Sequence, residues 1–182
     1  MHFDSRRLLF VALLLAGCGQ DETPLAPPTA VATASTCGGS GYLAGQLRGA
    51  LTAEVEWRDR EILCESMSRP DDRGVRLRFS GAVGDERLAI IIAMPGLEPG
   101  MTGADIDVVV TVTVDGSGRF FSTPSLGSCW ADVTRNTPLD VLSALHIVAG
   151  RLTCVGPLGE FNGDAFVEIS DLRFSGIAKW DE

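Results

Sequence analysis

The chain has 182 residues, 45% of them hydrophobic, and a formal net charge of −9 at pH 7. An acidic chain gains nothing from counterion release on nucleic acid and is repelled by anionic lipid headgroups, so neither a nucleic-acid partner nor a basic membrane-binding patch is expected. All but one of the 15 Lys and Arg residues are arginine.

Arg6 and Arg7 precede an apolar run from Leu8 to Ala16, and Gly17 and Cys18 close it. A charged start, a short apolar core and a small-residue end are the three parts of a secretory signal. The run is about half the roughly 20 residues that a membrane-spanning helix needs. The ending Leu15-Ala16-Gly17-Cys18 resembles the lipobox of bacterial lipoproteins. That resemblance implies a signal peptide over 1–17, cleavage before Cys18, a diacylglyceryl thioether on the Cys18 sulfur and usually an acyl group on the new amine. The implied partner of this end is a membrane, reached through the lipid anchor. Gly19 in place of aspartate implies the outer membrane of a bacterial cell envelope. Beyond residue 18 the chain resembles only uncharacterised bacterial lipoprotein domains, which implies no activity.

Residues 18–36 carry three prolines, small side chains and no aromatic ring. Such a segment cannot bury enough apolar surface to offset its ordering entropy, so the lipidated N-terminus is expected to lead into a disordered tether. Residues 37–182 have the length of one domain with a real core.

Two-residue alternation then runs through nearly every stretch. Leu51, Ala53, Val55 and Trp57 share one side, with Glu54 and Glu56 on the other, and Arg58-Asp59-Arg60-Glu61 predicts a turn into a return strand at Ile62-Leu63-Cys64. Val75, Leu77, Phe79 and Gly81 alternate with Arg76, Arg78 and Ser80. Leu88 to Met94 is apolar on both faces and belongs in a central position. Pro95 to Gly100 breaks it. Asp107 to Asp115 has high β-propensity, and Asp115-Gly116-Ser117-Gly118 turns the chain back through Arg119-Phe120-Phe121. Ser128 to Thr134 places Cys129, Ala131 and Val133 together and Trp130 opposite. Thr137-Pro138-Leu139-Asp140 has a capping residue and a proline at the first helical position, predicting one short helix near 138–145. Val148, Gly150, Leu152 and Cys154 form the next inward set. Asn162-Gly163 predicts a hairpin. Leu172, Phe174, Gly176, Ala178 and Trp180 share a face, with a slip of phase near Ser170-Asp171 that reads as a bulge or turn. About nine strands with turns every 8–15 residues predict an all-β, antiparallel β-sandwich, immunoglobulin-like or jelly-roll.

Cys37, Cys64, Cys129 and Cys154 are an even number in an exported chain, which predicts two disulfides. Of the three possible pairings, Cys37–Cys64 and Cys129–Cys154 are expected, because each closes a loop of about 25 residues between neighbouring segments, contributing roughly 3 kcal/mol in the chain-entropy picture.

The catalytic inventory is thin. One histidine, His146, remains after the signal, and there is no G-x-S-x-G motif. One histidine and bridged cysteines cannot supply the three ligands of a zinc enzyme. The acids at 105, 107, 115, 160 and 164 lack the spacing of a calcium loop and read as turn formers. Gly39-Ser40-Gly41-Tyr42-Leu43-Ala44 matches the letters of a dinucleotide fingerprint without the strand that must precede it. No catalytic residue, metal or cofactor is expected. Trp57 and Trp180 read as core, whereas Trp130, with Phe120 and Phe121 nearby in sequence, reads as the candidate ligand-binding aromatic group. The expected role is a non-catalytic binding or assembly module for an envelope protein or glycan. Two alternatives remain: a hydrolase using paired carboxylates, and a protease inhibitor presenting Pro95 to Thr102.

Overall fold

The computed structural model of the chain describes residues 36–67, 73–140 and 144–180. These form eleven strands: β1 (Tyr42–Gly49), β2 (Ala53–Arg58), β3 (Leu63–Met67), β4 (Val75–Val83), β5 (Glu86–Met94), β6 (Gly103–Val114), β7 (Phe120–Ser122), β8 (Cys129–Pro138), β9 (Leu145–Cys154), β10 (Leu158–Glu160) and β11 (Phe166–Lys179). Among the described residues there is no helix, and every strand pairing is antiparallel. The lipobox-like ending at 15–18, with Cys18, lies outside the described residues.

All the strands belong to one sheet that doubles over on itself as a sandwich. Two long strands make this possible. β6 pairs β5 along one side and divides its other side between β8 and β7. β11 pairs β1 along one side and divides the other between β9 and β10. The layer β3-β4-β5 therefore faces the layer β2-β1-β11-β9. Phe79 of β4 meets Phe174 of β11 with ring centroids 6.3 Å apart. The Trp57 indole of β2 lies against Gly81 of β4 and donates its Nε1–H to the Ala82 carbonyl at 2.8 Å.

Alternation accounts for the inward face. Val108, Val110 and Val112 of β6 are fully buried, whereas Val109 and Thr111 between them are half-buried and Asp107 before them is exposed. β5 sits between β4 and β6 and is buried on both faces, with Leu88, Ala89, Ile90 and Ile92 at 2% exposure or less. At Ser170-Asp171 two consecutive residues of β11 are exposed, the register with β1 shifts, and Asp171 takes φ 52°. This bulge re-phases the strand, so Ile169 and Leu172 both point inward.

Both disulfides join the expected partners, Cys37–Cys64 and Cys129–Cys154. Cys129 and Cys154 stand directly opposite each other on β8 and β9, with Cα atoms 4.1 Å apart. Cys37 is bridged to β3, where Thr36 Oγ1 also accepts the Cys64 N–H at 3.0 Å.

Two expectations are corrected. Arg58 to Glu61 does not fold β2 back onto β3. β2 pairs β1, β3 pairs β4, and the segment between them crosses from one edge of the sheet to the other. Asp59 redirects the chain at φ 34°, donating its backbone N–H to the Gly41 carbonyl and accepting the Gly41 N–H on its carboxylate. Of the helix expected near 138–145, the described residues 138–140 and 144–145 form the two ends of a hairpin instead. Pro138 ends β8 opposite His146, the Leu139 N–H donates to the Leu145 carbonyl at 2.7 Å, and Leu145 begins β9. Residues 141–143 lie outside the described residues. A helix that short is marginal without packing of its own, whereas the β8–β9 ladder gives the flanking residues partners at once.

Candidate functional site

The outer face of β2-β1-β11-β9 carries a cleft of about 470 Å³. Alternation builds it. The residues of β1 and β2 that point away from the core are Tyr42, Ala44 and Gln46 on one strand, and Glu54, Glu56 and Arg58 on the other. The paired register sets Glu56 beside Ala44, Ala44 beside Arg173, Arg173 beside Arg151, and Arg151 beside Asp132, one row across five strands. The short Ala44 side chain leaves the floor low between charged walls.

Three of the polar groups are held by neighbours. The Arg58 guanidinium donates to Glu56 and lies 5.2 Å from the centre of the Tyr42 ring. The hydrogen bond to Glu56, more than its charge, holds the Arg58 pKa above the usual arginine value. Arg48 donates to Gln46 Oε1 at 3.0 Å. Because arginine only donates, this contact orients the Gln46 amide and leaves its NH₂ group available.

Arg151 and Arg173 differ from these. They stand directly opposite each other on β9 and β11. Among the described residues neither guanidinium lies within 4.0 Å of a carboxylate; the ion pairs there are Arg58–Glu56, Arg78–Glu65, Arg87–Asp115 and Arg119–Glu160. Asp132, next to Arg151 in the row, accepts the Asp105 N–H at 3.2 Å, at the bulge of β6. Like charges directly across a strand pair repel.

The aromatic residues singled out in the sequence do not converge. Trp130 is half-buried on the outer face of β8, between Asp107 and Thr153. Phe121 is fully buried and points into the core, so it offers nothing to a ligand. Phe120 is half-buried and stacks on Phe161 with centroids 4.8 Å apart, and Phe161 is exposed. Arg119 beside them donates to Glu160, and this bond holds the Glu160 carboxyl below the usual carboxylate range. Among the described residues no three His, Cys, Asp or Glu side chains group closely enough to hold a metal.

His146 has a structural task. Asn136 Nδ2 donates to the carbonyls of Glu98 and Met101 at 2.8 and 3.0 Å, which turns its Oδ1 toward His146 Nδ1 at 2.9 Å. The imidazole must then carry a proton on Nδ1. Burial lowers its pKa, favouring the neutral ring. Asn136 thereby ties β8 to the loop after β5, where Leu97 is anchored in the core. That loop closes two turns, Leu97 N–H to Met94 O and Met101 N–H to Glu98 O.

The disulfides and the outward side of Trp130 were legible from sequence; the facing arginines were not. Only the β9–β11 register brings residues 151 and 173 together. Compared with known proteins, the chain matches no family model, no curated protein and no solved structure.

Proposed function

We propose that this is an envelope lipoprotein, acylated at Cys18, whose β-sandwich is a non-catalytic binding module, and that the cleft over β1, β2, β9 and β11 is its binding surface. The observation that carries the reading is the facing pair of unpartnered arginines in this cleft. A ladder on a bridged sandwich fixes their backbone positions, so a ligand has only the two side chains to order. The hydrolase alternative draws less support. A general acid must keep its proton in a desolvated setting, and Glu54, Glu56 and Asp171 of the cleft are all exposed.

Two measurements test the reading on the full-length protein in detergent. Labelling with a fatty-acid analogue should mark the wild type and fail on Cys18→Ala. A glycan array and an envelope pull-down should return a partner that Arg151→Gln with Arg173→Gln loses. An unlabelled protein with its initiator methionine retained refutes the anchor. Partners indifferent to both substitutions refute the cleft.

A further inference from the structure

Resting on that reading, we infer that the cleft takes an acidic saccharide, whose single oxyanion group is gripped by Arg151 and Arg173 together while Glu54, Asp171 and the Gln46 amide bind its hydroxyls. The guanidinium fork matches a carboxylate or a phosphate oxygen pair in two parallel hydrogen bonds. Two such forks on directly opposed positions of neighbouring strands converge on one oxyanion, and its charge removes the repulsion between them. Charge-assisted bonds of this kind are about twice as strong as neutral ones.

The rest of the cleft selects the body that carries the oxyanion. At about 470 Å³ it is much larger than a lone phosphate or carboxylate needs, and it falls within the usual range for small-molecule sites. Its remaining free groups are exposed carboxylates and one amide, which accept and donate to hydroxyls. The same carboxylates, on a chain of net charge −9, repel a polyanion or a strongly acidic peptide. The favoured ligand is therefore hydroxyl-rich and carries few negative charges.

Calorimetric titration of the full-length protein in detergent tests this with four probes: a disaccharide containing one uronic acid, its neutral counterpart, a sugar monophosphate and a short acidic peptide. The uronate disaccharide is expected to bind at least tenfold more tightly than the neutral one. Arg173→Gln should weaken it at least tenfold, and Arg78→Gln, on the opposite layer, should leave it unchanged. A thermal melt of Arg173→Gln no lower than that of the wild type shows that the loss is not unfolding. Tighter binding of the phosphate with the same arginine dependence supports the inference and identifies phosphate as the oxyanion. Equal affinity for neutral and acidic disaccharides, or binding that survives Arg173→Gln, overturns it and leaves the broader binding reading standing. Arginine-dependent binding of the peptide alone also overturns it, replacing the saccharide with a protein. Silence from all four probes overturns it as well; if the pull-down is also empty, the binding reading falls with it.

Discussion

Two cross-strand pairs on opposite outer faces of the sandwich use arginine in contrary ways. On β3 and β4, Glu65 stands opposite Arg78 and the two form an ion pair. On β9 and β11, Arg151 stands opposite Arg173. Both pairs sit on strands whose inner sides share one core, where Phe79 of β4 meets Phe174 of β11. Opposed charges across strands contribute roughly 0.2–1 kcal/mol, and like charges cost a similar amount. The first pair is what a sheet needs for its own stability. The second works against the sheet, and on it rests the proposed binding role.

The largest effect expected separates the arginine pair from the bridge beside it. Replacing Cys129 and Cys154 with alanine should cost about 3 kcal/mol in urea denaturation. Eight register pairs between β9 and β11 still hold Arg151 opposite Arg173. Oxyanion binding should therefore survive at temperatures where the variant is folded. Its loss in the folded variant would make the bridge, rather than the ladder, the source of the cleft's geometry.

A smaller effect tests whether the two faces share one core. A Cβ on Gly176 of β11 would lie 2.6 Å from the Phe79 ring, and one on Gly81 of β4 would lie 2.5 Å from the Trp57 indole. Gly176→Ala and Gly81→Ala should each destabilise by about 1–3 kcal/mol, the usual cost of overpacking. Gly159→Ala, with nothing within 4 Å of its new methyl, makes the control. If Gly176→Ala melts like the control, the layers are less tightly joined than these contacts require.

The sequence reveals these two faces unequally. Period-two alternation exposed the inner face of nearly every long strand, and two adjacent exposed residues at Ser170-Asp171 marked the bulge of β11. Cysteine spacing gave both bridges. Partnership between strands was harder to read. β2 and β3 are neighbours in sequence yet lie at the two edges of the sheet. Pro138 carries the signal of a helix start, but its neighbours gain more from the β8–β9 ladder. The parity of Phe120 and Phe121 depends on a three-residue strand, too short to show a period. The cleft suffers from the same gap: alternation turns Arg173 outward, but only pairing brings it to Arg151. Local chemistry writes the periodicity of a strand, and long-range registry decides which strand lies beside it.

The smallest effect is the most direct test of the contrast. Arg78→Gln removes an attraction and should lower stability by roughly 0.2–1 kcal/mol. Arg173→Gln removes a repulsion and should raise it by a few tenths of a kcal/mol in the absence of ligand. The two variants should thus move the thermal midpoint in opposite directions from a common wild type. Salt sharpens the test, because at 1 M the screening length falls to about 3 Å. Both shifts should shrink toward zero there, since both pairs lie on solvent-facing sides of the sheet. Equal losses from both variants, persisting in 1 M salt, would mean that the Arg173 stem matters to packing more than its charge does. In that case the β9–β11 pair would be a piece of the sheet's own surface and not a place prepared for an anion.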